Sequence, residues 1–434
     1  MFITKSNSPK SSIGWIDFSS EHRDKVRTVI DLLSAPGVVD ELGIGIVRDS
    51  FADQMFPGLS TIQTRAKYFT LTALLIREYQ QKERARRNPR SLEKYLEDEE
   101  QACRITLAKR HGDGRQSLGI IGGSFGVRTD RDVIRRASSV YWNGLREFRF
   151  ISPPHLSLAE FGRRLSDDGK QLRSLLEETK QDRGDDHDAE DTSMLLRVHT
   201  PEINDRYWDE LSIDLTREEA DFLRDQIKIH QSESLIGQIM KKDAVMDQVL
   251  QLHKDANFNE FSELPFIGEL KSEELRSTVQ HSRDFWRIME GAHIRYNCLI
   301  QAAGFGTSEL QAKFDEQWEL WRADISEFPR HWDTGFMWAL VLRHGSQVRD
   351  STRTFINGWI EQAQQGAENL SRCDELVVNQ ERLNKKSRAR LRPGNQEAIN
   401  GWVGLSQVQY RLPQVRQFIR DISDSEKLKG AVNA

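Results

Sequence analysis

Cysteine is nearly missing from this chain: Cys103, Cys298 and Cys373 are its three in 434 residues, far apart and without a CxxC pair. That spacing sets aside a disulfide framework and a zinc knuckle, and it suits a reducing compartment. Long apolar runs are missing too. Nothing approaches the roughly 18 consecutive apolar residues of a membrane span. The opening MFITKSNSPKSSIGW holds no signal-peptide core. The expectation is a soluble, cytoplasmic protein with no membrane partner. An excess of positive charge is also lacking: 62 Lys and Arg against 67 Asp and Glu leave −5. No overall cationic field draws the chain to nucleic acid, so any such surface has to be a local patch. Neither an internal repeat nor a long heptad run is present, which sets aside solenoids and coiled coils.

Signatures of catalysis are scarce. No G-x-x-x-x-G-K-[ST], G-x-S-x-G or H-E-x-x-H stands in the sequence. GIIGGSFG (119–126) is glycine-rich but has no phosphate-loop lysine and no βαβ unit around it, so it reads as a flexible turn. His187 among Asp185, Asp186 and Asp188 looks like a metal cluster but sits in an acidic, apolar-poor stretch. His293 and Tyr296 are spaced to share a helix face, while His331, Asp333 and His344 follow no pattern. The reading is a protein without cofactor, metal or catalytic residues.

What is present is helix. With 37% hydrophobic and 30% charged residues, the chain can bury real cores under a charged surface, and its length suits two or three domains. Residues 1–12 form a polar, disordered lead, and IGWIDF (13–18) reads as a short strand. Ser19 or Ser20 then caps a helix carrying Val26, Val29, Ile30 and Leu33, which ends at Pro36-Gly37. Ile44, Val47, Phe51 and Met55 mark one face of the next helix. After the Pro57-Gly58 turn, Ser60 is the expected cap of a third, with Ile62, Ala66, Phe69, Ala73 and Ile76 on its buried side. Residues 82–110 read as one charged, solvated helix. EETKQDRGDDHDAEDTS (177–193) is too acidic to order itself and reads as a linker. It separates an N-terminal helical domain (13–176) from a C-terminal one (194–434). In the latter, Thr216 and Glu219 match a capping box. Trp286, Tyr296, Trp318, Trp321, Trp332, Trp338 and Trp359 supply aromatic core. The expected fold is mainly α and multi-domain, with little β structure and a winged-helix-like module.

That module falls near 128–152. Ser138 or Ser139 caps a helix carrying Val140, Tyr141, Leu145 and Phe148. Arg131, Arg135, Arg136, Arg146 and Arg149 make it basic, and an extended FRFIS tip follows. A helix for the major groove with basic groups for phosphates has this form; the alternative is an ordinary amphipathic helix under an arginine-rich surface. The sharpest charge anomaly is RLNKKSRARLRPGN (382–395). Arg382, Lys385, Lys386, Arg388, Arg390 and Arg392 fall within eleven residues that contain no acid. Phosphate is the natural partner of such a patch. A solvated loop is the plainer alternative, as is an acidic protein partner, 177–193 of the same chain included.

GIVRDSFADQMFPGLSTIQTRAKYF (45–69) poses a different question. Asp49 and Asp53 share a helix face, Arg48 and Arg65 flank the turn, and Ser60, Thr61 and Thr64 lie where free helix N–H groups favour an anion. One reading is a phosphate-binding corner with Arg65 as its charge. The other is a helix hairpin locked by internal Asp–Arg pairs. A metal site on Asp49 and Asp53 has too few ligands and two arginines against it.

IGWIDFS (13–19), residues 41–69, SSVYWNGL (138–145), LTREEADFL (215–223), GAHIRYN (291–297) and the RARL…W-G…YR pattern (388–411) together resemble one bacterial family, domain of unknown function 6361. The resemblance places its signature on Asp17, Arg48, Asp49, Asp53, Pro57, Gly58, Ser60, Gln63, Thr64, Arg65 and Tyr68. It continues on Tyr141, Trp142, Gly144 and Leu145, then on Arg390, Leu391, Trp402, Gly404, Tyr410 and Arg411. Ala137 stands where the pattern has proline, and Leu412 where it has tryptophan. The family lends no catalytic residues. The resemblance implies neighbours such as helicases and phospholipase-D-like proteins in phage-defence regions, hence a multi-protein system acting on DNA. The resulting expectation is a non-enzymatic DNA-binding component of such a complex. Its phosphate contacts are Arg65, Arg135, Arg136, Arg146, Lys385, Lys386, Arg388 and Arg390, and its structural motif is Asp17, Arg48, Asp49, Asp53, Ser60 and Thr64. Homo-oligomerisation is the default for any self-association. The alternatives are an adaptor that recruits a helicase or nuclease, and a metal-dependent nuclease with Asp17, Asp49 and Asp53 together.

Overall fold

A computed structural model describes residues 40–84, 90–112, 118–130, 133–167, 196–305, 307–329, 332–395 and 401–432. The polar lead, IGWIDF, the helix before Pro36 and Asp17 lie outside them. So do Arg131, His187, His331 and all of 177–193.

Helix α1 (Gly45–Met55) has no cap on Ile44, the residue before it. Asp40 supplies the missing acceptor from upstream: its carboxylate takes the N–H groups of Gly43 at 2.6 Å, Ile44 at 3.1 Å and Gly45 at 2.7 Å. The Ile44, Val47, Phe51, Met55 face is fully buried, as its spacing predicts. Phe51 meets Phe285 and Tyr410, both from distant parts of the chain.

The next helix, α2 (Lys67–Arg84), begins later than its sequence suggests. Gln63 explains the delay. Its side chain accepts the Ser60 N–H at 3.1 Å and donates to the Gly58 carbonyl at 3.1 Å, closing a compact loop in place of a helical turn. Ser60 therefore caps nothing, and Ile62 stands 43% exposed rather than on a buried face. The single charged helix expected over 82–110 is instead the end of α2 and a separate α3 (Leu92–His111), started by Ser91, whose side chain accepts the Lys94 N–H. Tyr95, Leu96 and Leu107 are buried along it, so α3 is a core helix with one wet side.

Helix α4 (Ala137–Glu147) corrects the winged-helix expectation. Ala137, Ser138, Val140, Tyr141, Trp142, Gly144 and Leu145 are all buried, and the face left to solvent, Ser139 and Asn143 with half-buried Arg146 and Glu147, is of mixed character and not a basic one. It lies against α2 so closely that a Cβ on Gly144 would sit 2.4 Å from Phe69 Cε1 and 2.5 Å from the Gly58 carbonyl oxygen. The tip after it is equally interior. Phe150 and Ile151 are fully buried, and β1 (Ile151–Ser152) pairs antiparallel with β2 (Arg197–Val198), Ile151 opposite Val198. A short helix α5 (158–167) follows β1.

Beyond β2, α6 (Arg217–His230) opens with the Thr216–Glu219 capping box, both reciprocal bonds formed. Four short helices follow: α7 (Leu235–Met240), α8 (Asp243–Gln251), α9 (Phe258–Ser262) and α10 (Pro265–Gly268). They lead to the long α11 (Glu273–Ile300), started by Ser272. Around it stand α12 (Ser308–Ser326), α13 (Thr334–Arg343), α14 (Asp350–Gln364) and α15 (Leu370–Lys385). Trp318, Trp321 and Trp359 stack here, and the Trp321 and Trp359 indole N–H groups donate to α11 carbonyls. Helix α16 (Leu412–Val432) returns to lie on α6 and α8. One apolar core runs from Leu42 to Ile422, with members from both sides of 177–193. Among the described residues, no helix is long and apolar enough to cross a membrane.

One buried acid links α3 to α4. Glu100 accepts the Ser138 N–H at 2.7 Å, capping α4 in place of Arg136, while its second oxygen has no partner. Burial outweighs that hydrogen bond and the nearby Arg136, and pushes its carboxyl up to about 7. A folded value above the unfolded one means that the native state holds the extra proton. Its contribution is full below pH 4.5 and is lost as pH rises through 7. Glu100→Gln should flatten this dependence, removing up to about 3 kcal/mol of difference between pH 5 and pH 8. Urea unfolding of both proteins at the two pH values checks it; parallel behaviour would show that Glu100 titrates normally.

Candidate functional site

The residues that looked like an anion-binding corner do bind an anion, and it belongs to the chain itself. The N–H of Ala66 donates to Asp421 of α16 at 2.8 Å, and Arg65 Nε reaches both oxygens of the same carboxylate at 2.9 and 3.0 Å. Arg65 further donates to Asp214 at 2.7 Å and to the Leu118 carbonyl at 2.9 Å. The N–H groups of Thr64 and Arg65 both go to the Tyr141 hydroxyl, which donates to the Arg65 carbonyl. Thr64 Oγ1 donates to the Gly119 carbonyl at 2.7 Å, and the Ile121 N–H to Tyr68 Oη at 2.8 Å. The glycine-rich segment is thereby clasped, not left as a free turn. Arg104 completes the clasp by donating to the Gly126 and Arg128 carbonyls. On the other side of the Pro-Gly turn, Arg48 pairs with Asp49 at 2.9 Å, while Asp53 pairs with Arg411 at 2.6 Å. Tyr410 and Arg411 both hold positive φ, 44° and 67°, which aims Arg411 at Asp53 and sends the Tyr410 hydroxyl to the Ser282 carbonyl.

A second charge pair lies one turn further in. Lys67 Nζ donates to Glu219 at 2.6 Å, and both side chains are essentially sealed from water. Thr70, Tyr207 and the Thr216 N–H donate to the same carboxylate. Its lone pairs are satisfied, as a buried charge requires.

The arginines around α4 do not form one face. Arg136 pairs with Glu97 at 2.5 Å, Arg146 donates to the Pro154 carbonyl, and Arg135 is exposed. His293 is fully buried beside Trp286, and burial holds its ring neutral by lowering its pKa to about 4. Among the described residues, no group of His, Cys, Asp and Glu is arranged to hold a metal ion. A groove of about 490 Å³ between α2 and the 202–208 loop is lined by Leu74, Arg77, Glu78, Gln81, Glu202, Ile203 and Trp208. Arg77 already donates to Thr200 there, and Glu78 is paired with Lys82.

The basic stretch after α15 forms a built turn. Lys386 leaves the helix at φ 55°, residues 386–388 make one 3-10 turn, and Ala389 drops back into the core. Glu381 anchors the returning strand by accepting the N–H groups of Arg390 and Leu391, with Tyr296 Oη as its third donor. Asn395 ties the loop from outside through the Ser387 and Ala389 carbonyls, and Arg382 donates to the Leu391 carbonyl. Lys386, Arg388 and Arg392 are left projecting into solvent, and among the described residues none of them meets a carboxylate. Lys385 and Arg390 turn the other way, towards Glu41.

A family model matches residues 10–426, nearly the whole chain. The chain belongs to DUF6361, a family of unknown function. No curated protein and no solved structure matches it. Three of the segments that carry the DUF6361 resemblance, 41–69, 138–145 and 388–411, meet in space: Tyr141 on Thr64 and Arg65, Gly144 against Gly58, and Arg411 on Asp53. Asp421 and Glu219, the acids that hold Arg65 and Lys67, carried no such role in the sequence reading. Glu219 was visible as a cap, but no local pattern marks a carboxylate whose partner is 152 residues away. Glu381, Glu41 and Asn395, which shape the basic turn, were likewise silent.

Proposed function

We propose that this chain is a non-enzymatic nucleic-acid-binding subunit that holds the phosphate backbone of DNA through the turn after α15. The observation that carries the reading is the exposure of Lys386, Arg388 and Arg392 on a turn fixed by Glu381 and Asn395. Unpaired cations on a rigid support release counterions from a polyanion without paying to free themselves from internal acids. Such contacts position a duplex or single strand and read no sequence. Arg65 and Arg136 are left out of this surface because carboxylates already hold them. Work within an anti-phage complex that contains a helicase or a phospholipase-D-like nuclease follows from the family resemblance. In that setting a subunit of modest affinity hands DNA to a catalytic partner.

The test is binding to labelled duplex and single-stranded DNA over a range of salt, with Mg²⁺ present and the products run on a denaturing gel. Three phosphate contacts give log K against log salt a slope of about −2 to −3. The Lys386→Ala, Arg388→Ala, Arg392→Ala triple variant should lose most of that slope with an unchanged melting temperature, and the DNA should stay intact. No binding by the wild type at low salt removes the reading and leaves an adaptor that contacts only proteins. Cleaved DNA would replace it with a nuclease.

A further inference from the structure

A hydroxyl inside a helix commonly bonds back to the carbonyl one turn earlier. Thr106 does so to Ala102 at 3.1 Å, Thr278 to Glu274 at 2.8 Å and Ser282 to Thr278 at 2.7 Å. Thr72, inside α2, does not. It is 1% exposed, and its Oγ1 has no partner in the chain. An orphaned hydroxyl sealed from solvent costs more than an ordinary hydrogen bond returns, so its surroundings need an explanation.

Thr72 lines a cavity of about 20 Å³ enclosed by α2, α3, the glycine-rich segment and the residues leading into α4. The walls are mainly apolar, and three polar groups in them have bonding capacity to spare. Thr72 Oγ1 is the first. Glu100 is the second: Ser138 N–H takes one carboxyl oxygen, and Oε2 is buried without a partner. Tyr68 is the third. Its hydroxyl oxygen accepts the Ile121 N–H at 2.8 Å, and its own proton meets no acceptor among the described residues. Tyr68 and Thr72 stand one turn apart on one face of α2, and Glu100 lines the same cavity from α3. The other polar lining is spent or inert. Arg104 donates to the Gly126 and Arg128 carbonyls. Burial pushes the Cys103 thiol up to about 12, which keeps it neutral and a weak partner.

Size and chemistry select the ligand. A water needs about 10–15 Å³ of such space and two to four polar partners. Phosphate and organic groups are too large. A cation would find a single carboxyl, whose charge burial opposes.

We propose that this cavity is the binding site of one internal water, which bridges Thr72 Oγ1, Glu100 Oε2 and Tyr68 Oη. The water accepts from the Tyr68 hydroxyl and donates to Thr72. Towards Glu100 it accepts from the acid and donates to the carboxylate, so Glu100 keeps a partner in either state. Through Tyr68 and Ile121 it also ties the α2–α3 pair to the clasped glycine-rich segment.

A crystal structure of the full chain, at a resolution that shows ordered water, tests occupancy. One isolated peak is expected about 2.6–3.2 Å from both Thr72 Oγ1 and Glu100 Oε2. An empty cavity, or a direct hydrogen bond between the two side chains, would overturn the proposal. So would a peak at cation distance from Glu100, about 2.0–2.5 Å. Urea unfolding of Thr72→Val tests the bridge in solution, because valine keeps the shape and removes the hydroxyl alone. With the water bound, the variant strips it of a partner and should raise the unfolding constant about three- to tenfold. In a dry cavity the same change removes an orphan, and an unfolding constant that stays level or falls would sink the bridge. Thr72→Ser keeps the hydroxyl and should retain the water peak; its loss there would show that Thr72 holds the cavity by shape and not by bonding.

Discussion

Glu219→Gln is expected to lose about 3–5 kcal/mol of folding stability, the scale for breaking a buried ion pair from one side. Lys67 and Glu219 are 1% and 0% exposed in their side chains, so neither charge has water to fall back on. Glutamine keeps the shape but presents an amide NH₂ to a site built of donors: Lys67 Nζ, Thr70 Oγ1, Tyr207 Oη and the Thr216 N–H. At least one donor is left facing another, and the ammonium stays in the interior without its counter-charge. Adding Lys67→Met to Glu219→Gln should recover part of the loss, because the orphaned charge is what costs most. Urea unfolding with the m-value held constant measures both steps. A loss below about 1 kcal/mol for Glu219→Gln would show that water reaches the pair.

The same residue shows how far local pattern reaches. The Thr216–Glu219 box was legible because its two bonds span three residues, and it starts α6 as expected. The Lys67 bond to the same carboxylate was not, since nothing near residue 67 points to residue 219. The α1 face was legible for a like reason: four apolar residues at helical spacing have one way to be buried. Helix α4 marks the limit from the other side. Its arginines made it look like a groove-reading helix, but Tyr141, Trp142 and Gly144 settle its place against Phe69 and Phe161. A count of basic residues does not show which way each one points. Within the basic stretch at the end of α15, composition found the patch, and tertiary contacts alone divide its six cations into Lys386, Arg388 and Arg392, which meet no carboxylate among the described residues, Arg382 on the Leu391 carbonyl, and two that face Glu41.

Asp421→Asn makes the second large prediction. Asp421 joins the last long helix to the entry of α2 through Arg65 Nε and the Ala66 N–H, and accepts a third donor, Gln417, from its own helix. Losing its charge should cost about 2–4 kcal/mol, since a buried acceptor of three donors becomes half donor and Arg65 keeps only the exposed Asp214 as counter-ion. Arg65→Met should cost a similar amount. The double variant should cost far less than the sum, with a coupling of about 1.5 kcal/mol or more, as groups in one network do. The two single variants also separate structure from contact. If Arg65 served phosphate, Arg65→Met would remove about one contact from the salt slope, and Asp421→Asn, by freeing the guanidinium, would add about one. With Arg65 spent on two carboxylates and the Leu118 carbonyl, both variants should lower the melting temperature and leave the slope alone. A slope that moved in opposite directions in the two would return Arg65 to the DNA-binding surface.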